Sequence, residues 1–344
     1  MRRTLRSVLG TLVVGALVAC GRGDDRRPLV VYSAHAGDIL TEFERSFEAA
    51  HPQVDVVWSY LSPQLALDRM RAERAAPQCD VWWGADAATL TTAARESLLA
   101  PYRPTYGEES PPHDAEWRWS GCFWLPMVLG FHPDRISREE LPTTLVELGD
   151  PRFKDRIVLR EPSASGGLRT VFAAVVAAAP SEDEGFNRLA ALDRNVRAYE
   201  GSPELLFEAL EKGPAALTVW NLTDLIFQRK GKGQEKGYRF LPAPFAEPTP
   251  TVVDGIAVTP RGAANADARA FYEHVNTLEA LAALAERHQR IPVRPSFDRA
   301  KLDPDVRDFP WTPLAVDATV LAEKTPGWMR RFEEEILSRR TGRR

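Results

Sequence analysis

The residues best suited to chemistry form one short run, Pro162-Ser163-Ala164-Ser165-Gly166-Gly167-Leu168-Arg169. It follows β-branched Ile157-Val158-Leu159 and precedes a helix-length apolar segment from Thr170 to Ala179. Small hydroxyl residues and paired glycines at a strand-to-helix junction leave backbone N–H groups free at the helix start. The helix dipole adds partial positive charge there, so such a corner suits a phosphate, a carboxylate or an oxyanion. A serine in that place also serves as a plain N-cap. The chemistry therefore depends on what the rest of the chain brings beside it.

The positioning elements read as alternating strands and helices. Pro28 to Tyr32 is a buried strand ended by Ser33-Ala34-His35-Ala36-Gly37, and a helix follows with Ile39, Leu40, Phe43 and Phe47 on one face. Val54 to Trp58 is a second strand, and Ser62-Pro63-Gln64 opens a second helix. Cys79 to Trp83 is a third strand that breaks at Gly84-Ala85-Asp86-Ala87 into a third helix. The alternation predicts an α/β fold with parallel sheet and helices on both faces. Cys122 to Phe131 crosses out of this unit, and a second unit repeats the idea. There Glu200-Gly201-Ser202 opens a helix after the Val196–Tyr199 strand, and Trp220-Asn221-Leu222-Thr223 follows the Ala215–Val219 strand. Thr251 to Val258 returns to the first unit, Asn265 to His288 is helical with a break near Asn276-Thr277, and the remainder, with Trp311 and Trp328, forms a helix-and-loop cap.

Ligands of such sheets bind at the carboxyl ends of the strands. The candidate residues are therefore Ser33, His35, Ser62 and Asp86 from the first unit and Ser163, Ser165, Gly166, Gly167, Glu200, Ser202, Trp220 and Asn221 from the second. Asp254 joins them from the return crossing. Hydroxyls and free amides suit an anionic group, whereas His35, Asp86, Glu200 and Asp254 suit a cation or sugar hydroxyls. Of Trp82 and Trp83, one is assigned to the core and the other is a candidate to stack on a ligand.

The N-terminus points to export. Arg2, Arg3 and Arg6 precede a short apolar stretch from Val8 to Ala19, too short to span a bilayer as a mature helix. It ends in Leu17-Val18-Ala19-Cys20, which resembles a bacterial lipobox and implies cleavage before Cys20 and acylation of that residue. Residues 1–19 are then a signal peptide and 20–27 a polar tether. Cys79 and Cys122 remain as an even pair in an oxidising compartment; pairing and two free thiols both stay open. The net charge of −4, more negative once the leading arginines are removed, argues against nucleic acid as a partner. No G-x-S-x-G or H-E-x-x-H motif occurs, so an enzyme is not expected. No cofactor is expected either.

Val31-Tyr32-Ser33, the run Cys79 to Leu90, Asp150-Pro151-Arg152-Phe153-Lys154, Pro162 to Gly166, Asp254 to Val258 and Arg290-Ile291-Pro292-Val293-Arg294-Pro295, in this order, resemble the periplasmic solute-binding proteins of ABC importers, in the group around the ferric-iron-binding proteins. The resemblance implies the two-lobed type II periplasmic binding fold with two crossing segments. It sets residues 28–124 and 254–296 as the first lobe, 125–253 as the second and 297–344 as a C-terminal cap. It further implies a monomeric periplasmic lipoprotein that takes a small solute in the interlobe cleft and hands it to an inner-membrane permease. Metal-binding members of the group use two adjacent tyrosines on the loop that here reads Val219-Trp220-Asn221-Leu222-Thr223, with no tyrosine. A ferric ion wants anionic oxygen ligands. The expected solute is therefore an organophosphorus compound or carboxylate that also bears amine or hydroxyl groups, with ferric iron as the alternative. A ligand-presenting sensor lipoprotein is a further alternative.

Overall fold

The computed structural model describes residues 25–109, 111–230, 238–314 and 318–341. The signal segment 1–19, Cys20 and the tether as far as Asp24, and most of the charged 230–236 loop lie outside these residues.

Two antiparallel strands, β4 (Ser120–Phe131) and β9 (Thr251–Val258), run side by side and link two halves of one continuous sheet. On one side of this pair β9 is followed by β3 (Val81–Asp86), β1 (Arg27–Ser33) and β2 (Val54–Tyr60), the last three mutually parallel. On the other side β4 is followed by β7 (Leu217–Asn221), β5 (Ile157–Arg160) and β6 (Val196–Glu200), again mutually parallel. Short β8 (Leu241–Ala243) and β10 (Ile291–Pro292) pair with opposite ends of β4.

Pro126 marks where β4 changes partners. Residues up to Pro126 pair with β9, and from Met127 onward they pair with β7. Proline donates no ladder hydrogen bond and tolerates only positions where none is asked of it. Here the donor resumes at once, because the Met127 amide binds the Pro250 carbonyl at 2.8 Å.

The helices follow the local capping chemistry. α1 (Gly37–Ala50) buries Ile39, Leu40, Phe43 and Phe47. α2 (Pro63–Ala72), α3 (Ala87–Arg95), α4 (Gly166–Ala177) and α6 (Pro203–Lys212) are capped by Ser62, Asp86, Ser165 and Ser202, whose side-chain oxygens accept an amide of the first turn. α5 (Glu182–Asn195) and α7 (Leu222–Lys230) complete the second lobe; α8 (Ala266–His274) and α9 (Leu278–His288) return to the first. α10 (Ala318–Phe332) touches α3 of one lobe and α4 of the other, with Trp328, Met329 and Phe332 buried in the second lobe's core.

Two sequence expectations change, and one question left open is answered. The chain is built into the fold before residue 28: Arg26 pairs with Glu48 at 2.7 Å and Asp55 at 2.6 Å, and β1 begins at Arg27, so the tether ends earlier than expected. Trp82 and Trp83 are both fully buried, which removes either from ligand stacking. Their alternation along β3 sends one ring to each face of a sheet covered on both sides. Cys79 and Cys122 are free thiols in separate hydrophobic clusters, Cys79 against α2 and α3 and Cys122 on the face that holds Phe43 and Phe271.

Candidate functional site

His35 sits in the turn between β1 and α1. The Ser33 hydroxyl, itself buried, accepts the His35 amide at 3.2 Å, which fixes the turn. The ring packs edge-on against Trp83 and Phe123, with centroids 4.5 and 6.1 Å away. Gly84 supplies the room. Its φ is +99°, it lies at a bulge in the β3–β9 ladder, and a Cβ there would come within 2.9 Å of His35 Nε2. Only glycine accommodates both demands.

Asp254, on β9, brings Oδ1 to 3.7 Å from His35 Nε2. Neither atom has a hydrogen-bond partner among the described residues. Burial pulls the imidazole down to about 3, helped by the Arg290 and His288 charges. Burial pushes the Asp254 carboxyl up to about 8 against the pull of Arg290, with Asp86 and Asp224 adding to the rise. Both effects favour the neutral form, as desolvation does for a base and an acid alike.

Asp86 and the Ser165–Gly167 corner meet across the gap between the lobes. Asp86 accepts the Thr89 amide at 2.9 Å and the Thr89 hydroxyl at 2.7 Å. Its Oδ2 also lies 3.1 Å from where a Cβ on Gly166 would stand and 4.0 Å from Arg169 Nη2. A Cβ on Gly167 would crowd the Met127 thioether at 2.9 Å. Ser165 Oγ accepts the Leu168 amide at 3.2 Å, which caps α4. The Gly166 and Gly167 amides find no acceptor among the described residues. Two helix starts, one per lobe, thus face one carboxylate, and the corner is directed at the opposite lobe.

A third group lies on the second lobe's α7. Trp220 Nε1 and the Asn221 amide donate to Asp224 Oδ2 at 3.3 and 2.8 Å, while Asn221 Oδ1 accepts the Asp224 amide at 2.8 Å. Arg290 donates to Asp224 Oδ1 at 3.0 Å and to the Thr223 hydroxyl at 3.2 Å. Gln289, left-handed at φ 58° after α9, turns the chain so that Arg290 points back to the site. Arg290 Nε is buried without an acceptor. Asp224 and Arg290 were absent from the sequence-derived candidates. The signal was available: Asn221-x-Thr223-Asp224 is a capping pattern, and an arginine just before a buried Ile-Pro strand requires an acidic partner.

The remaining candidates stand apart. Ser62 caps α2 through the Leu65 amide at 3.4 Å. Ser202 caps α6 through the Leu205 amide at 3.2 Å, and the Glu200 carbonyl receives Glu161 and Arg160. No contact ties these three to His35 or Asp254 among the described residues. The Ser163 side chain is exposed, and its carbonyl accepts Arg169 at 3.1 Å. Arg169 is therefore engaged and mostly covered, not solvated.

Residues 29–288 match the family model described as bacterial extracellular solute-binding protein. A probable ABC transporter periplasmic-binding protein of Sinorhizobium fredii is 24% identical over 283 residues, covering 78% of this chain and 76% of that one. Among solved structures, a ferric binding protein from Campylobacter jejuni superposes with TM-score 0.78 at 21% identity, covering 89% of this chain and 98% of the other. The periplasmic binding protein AfuA from Actinobacillus pleuropneumoniae, with fructose-6-phosphate bound, superposes with TM-score 0.77 at 19% identity, covering 90% and 98%. The two-lobed architecture is that of the type II periplasmic binding fold.

Proposed function

The chain belongs to the bacterial extracellular solute-binding proteins, and we propose that its interlobe cleft takes a small polar anion, an organophosphorus compound or a carboxylate. It is the periplasmic solute-binding component of an ABC importer, working with an inner-membrane permease, and not an enzyme. The observation that carries the choice of solute is the start of α4, where the Gly166 and Gly167 amides are unengaged beside Arg169 and face the other lobe. Unpaired amides, the positive end of the dipole and a guanidinium together favour an anion over a cation. Asp86 approaches that corner from the other lobe while its carboxylate stays on the Thr89 amide and hydroxyl of α3. The phosphate-bearing ligand of AfuA agrees with this reading.

Ferric iron is the second reading, favoured by the approach of His35 Nε2 and Asp254 Oδ1 to 3.7 Å and by the ferric-binding structural neighbour. Against it, no group of three or more His, Cys, Asp or Glu side chains suited to a metal occurs among the described residues.

In this reading the protein is a monomer held at the membrane through lipid on Cys20, with lobes 28–124 plus 254–296 and 125–253 that close over the solute by bending near Pro126 and Thr251. The solute shifts the population toward the closed form because it binds that form better. Gly166→Pro tests the anion corner. Proline is welcome at the first position of a helix, and Ser165 before it already has the extended backbone (φ −133°, ψ 107°) that a following proline demands. The variant should keep its thermal midpoint and lose about tenfold or more in calorimetric affinity for an organophosphate. Unchanged affinity would sink the assignment.

A further inference from the structure

The anionic end of the solute accounts for one side of the cleft only. On the other side three buried polar atoms have no hydrogen-bond partner among the described residues: His35 Nε2, Asp254 Oδ1 and Arg290 Nε. His35 is 6% exposed, and its Nε2 stands 3.7 Å from Asp254 Oδ1, too far for a hydrogen bond and close enough for one oxygen atom to touch both. Arg290 acts electrostatically on both residues. Its guanidinium is held in place by Asp224 and Thr223 through Nη1, which leaves Nε–H to serve something else. Buried polar groups are rarely left unpaired in a working complex.

The chemistry of the three atoms selects their partner. Arg290 Nε–H only donates; Asp254 Oδ1 and His35 Nε2 can accept. An ammonium group only donates, so it leaves Arg290 unserved and adds a like charge near a guanidinium. A carboxylate or phosphate only accepts, so it serves Arg290 and a protonated Asp254, but it brings a negative charge into a buried place beside Asp86 and Asp224. A hydroxyl carries one donor and two lone pairs. It accepts from Arg290 and donates to Asp254 or His35 without bringing a charge into a buried place. Burial also holds His35 and Asp254 toward their neutral forms, which agrees with an uncharged guest.

We propose that His35, Asp254 and Arg290 form a hydroxyl-recognition subsite, so that the solute is a hydroxylated organic anion of the sugar-phosphate or sugar-acid kind and not an amino-bearing one. This rests on the anionic reading above, and the test separates the two. Wild-type protein would be titrated calorimetrically with fructose 6-phosphate, glucose 6-phosphate, 2-aminoethylphosphonate, inorganic phosphate and neutral myo-inositol. The expected result is that at least one hydroxylated phosphate binds tenfold or more tighter than 2-aminoethylphosphonate and inorganic phosphate. Asp254→Ala and, separately, Arg290→Met should erase that preference. Equal affinity for all the anions, or preference for the aminophosphonate, overturns the hydroxyl subsite and leaves the anion reading standing. Binding of myo-inositol with none of the anions supports the subsite and overturns the anion reading. No binding by any of the five overturns both. The wild-type comparison stands even where a variant fails to fold.

Discussion

His35 Nε2 and Asp254 Oδ1 lie 3.7 Å apart beneath the surface, and burial drives this base and this acid toward neutrality from opposite sides. The pair gives the protein a defined pH response. Asp254, raised on folding to about 8, stabilises fully below its unfolded value near 4 and loses that contribution as pH climbs through 8. His35, lowered to about 3 from near 6.5, stabilises above 6.5 and loses that contribution as pH falls through 3. Between roughly 4 and 6.5 the two slopes cancel, and above 6.5 Asp254 acts alone. Asp254→Asn should therefore gain on wild type by about 2 kcal/mol between pH 6.5 and 8, at about 1.4 kcal/mol per unit. Denaturant unfolding at pH 5, 6.5 and 8 checks it. A difference that stays constant with pH would refute the coupling.

Gly84 holds His35 in place by having no side chain. Gly84→Ala puts a methyl within 2.9 Å of the imidazole on a backbone at φ +99°. A cost of roughly 1–3 kcal/mol is expected from the backbone strain alone. The displaced ring should also lower the calorimetric affinity for hydroxylated phosphates, with little change in the far-ultraviolet spectrum. Unaltered stability and affinity together would show that the bulge relaxes freely.

The strand–helix alternation was legible because buried β-branched runs and amphipathic helix faces leave period signals, and the return strand Thr251–Val258 and the break near Asn276 stand where the sequence put them. The serine caps were legible too, but capping and ligand binding draw on the same hydroxyl, so sequence alone does not separate the two roles at Ser62 and Ser202. Arg290 and Asp224 come together from positions 66 residues apart through a left-handed turn at Gln289, which no local pattern announces. The fates of Trp82 and Trp83 depended on a sheet covered on both faces, a tertiary fact.

The two thiols offer a check on the sheet itself. Cys79 and Cys122 are buried and unpaired, and burial pushes both well above the ordinary thiol range, so the reactive thiolate is scarce. A chain starting at Gly21 should show no thiol reacting with a disulfide reagent within minutes when native and two reacting after unfolding. Its thermal midpoint should not change with added reductant. A reductant-dependent midpoint would mean the two cysteines pair, which would require the clusters on the two sides of the sheet to rearrange.

Asp224 is the keystone of the second lobe's contribution, since Trp220, Asn221 and Arg290 all converge on its carboxylate. Asp224→Asn keeps the shape and removes the charge, leaving the mostly buried Arg290 guanidinium without its counter-ion. Breaking one side of such a pair costs more than the pair is worth intact; for this partly exposed case about 1–3 kcal/mol is expected. Because Arg290 joins the α9–β10 segment to α7, the loss should also free one lobe from the other, and solute affinity should fall further than stability does. Arg290→Met with Asp224→Leu removes both charges and should recover much of the stability but none of the affinity. A double variant that regains binding would show that the bridge serves folding alone, and the assignment of Arg290 to solute recognition would then fail.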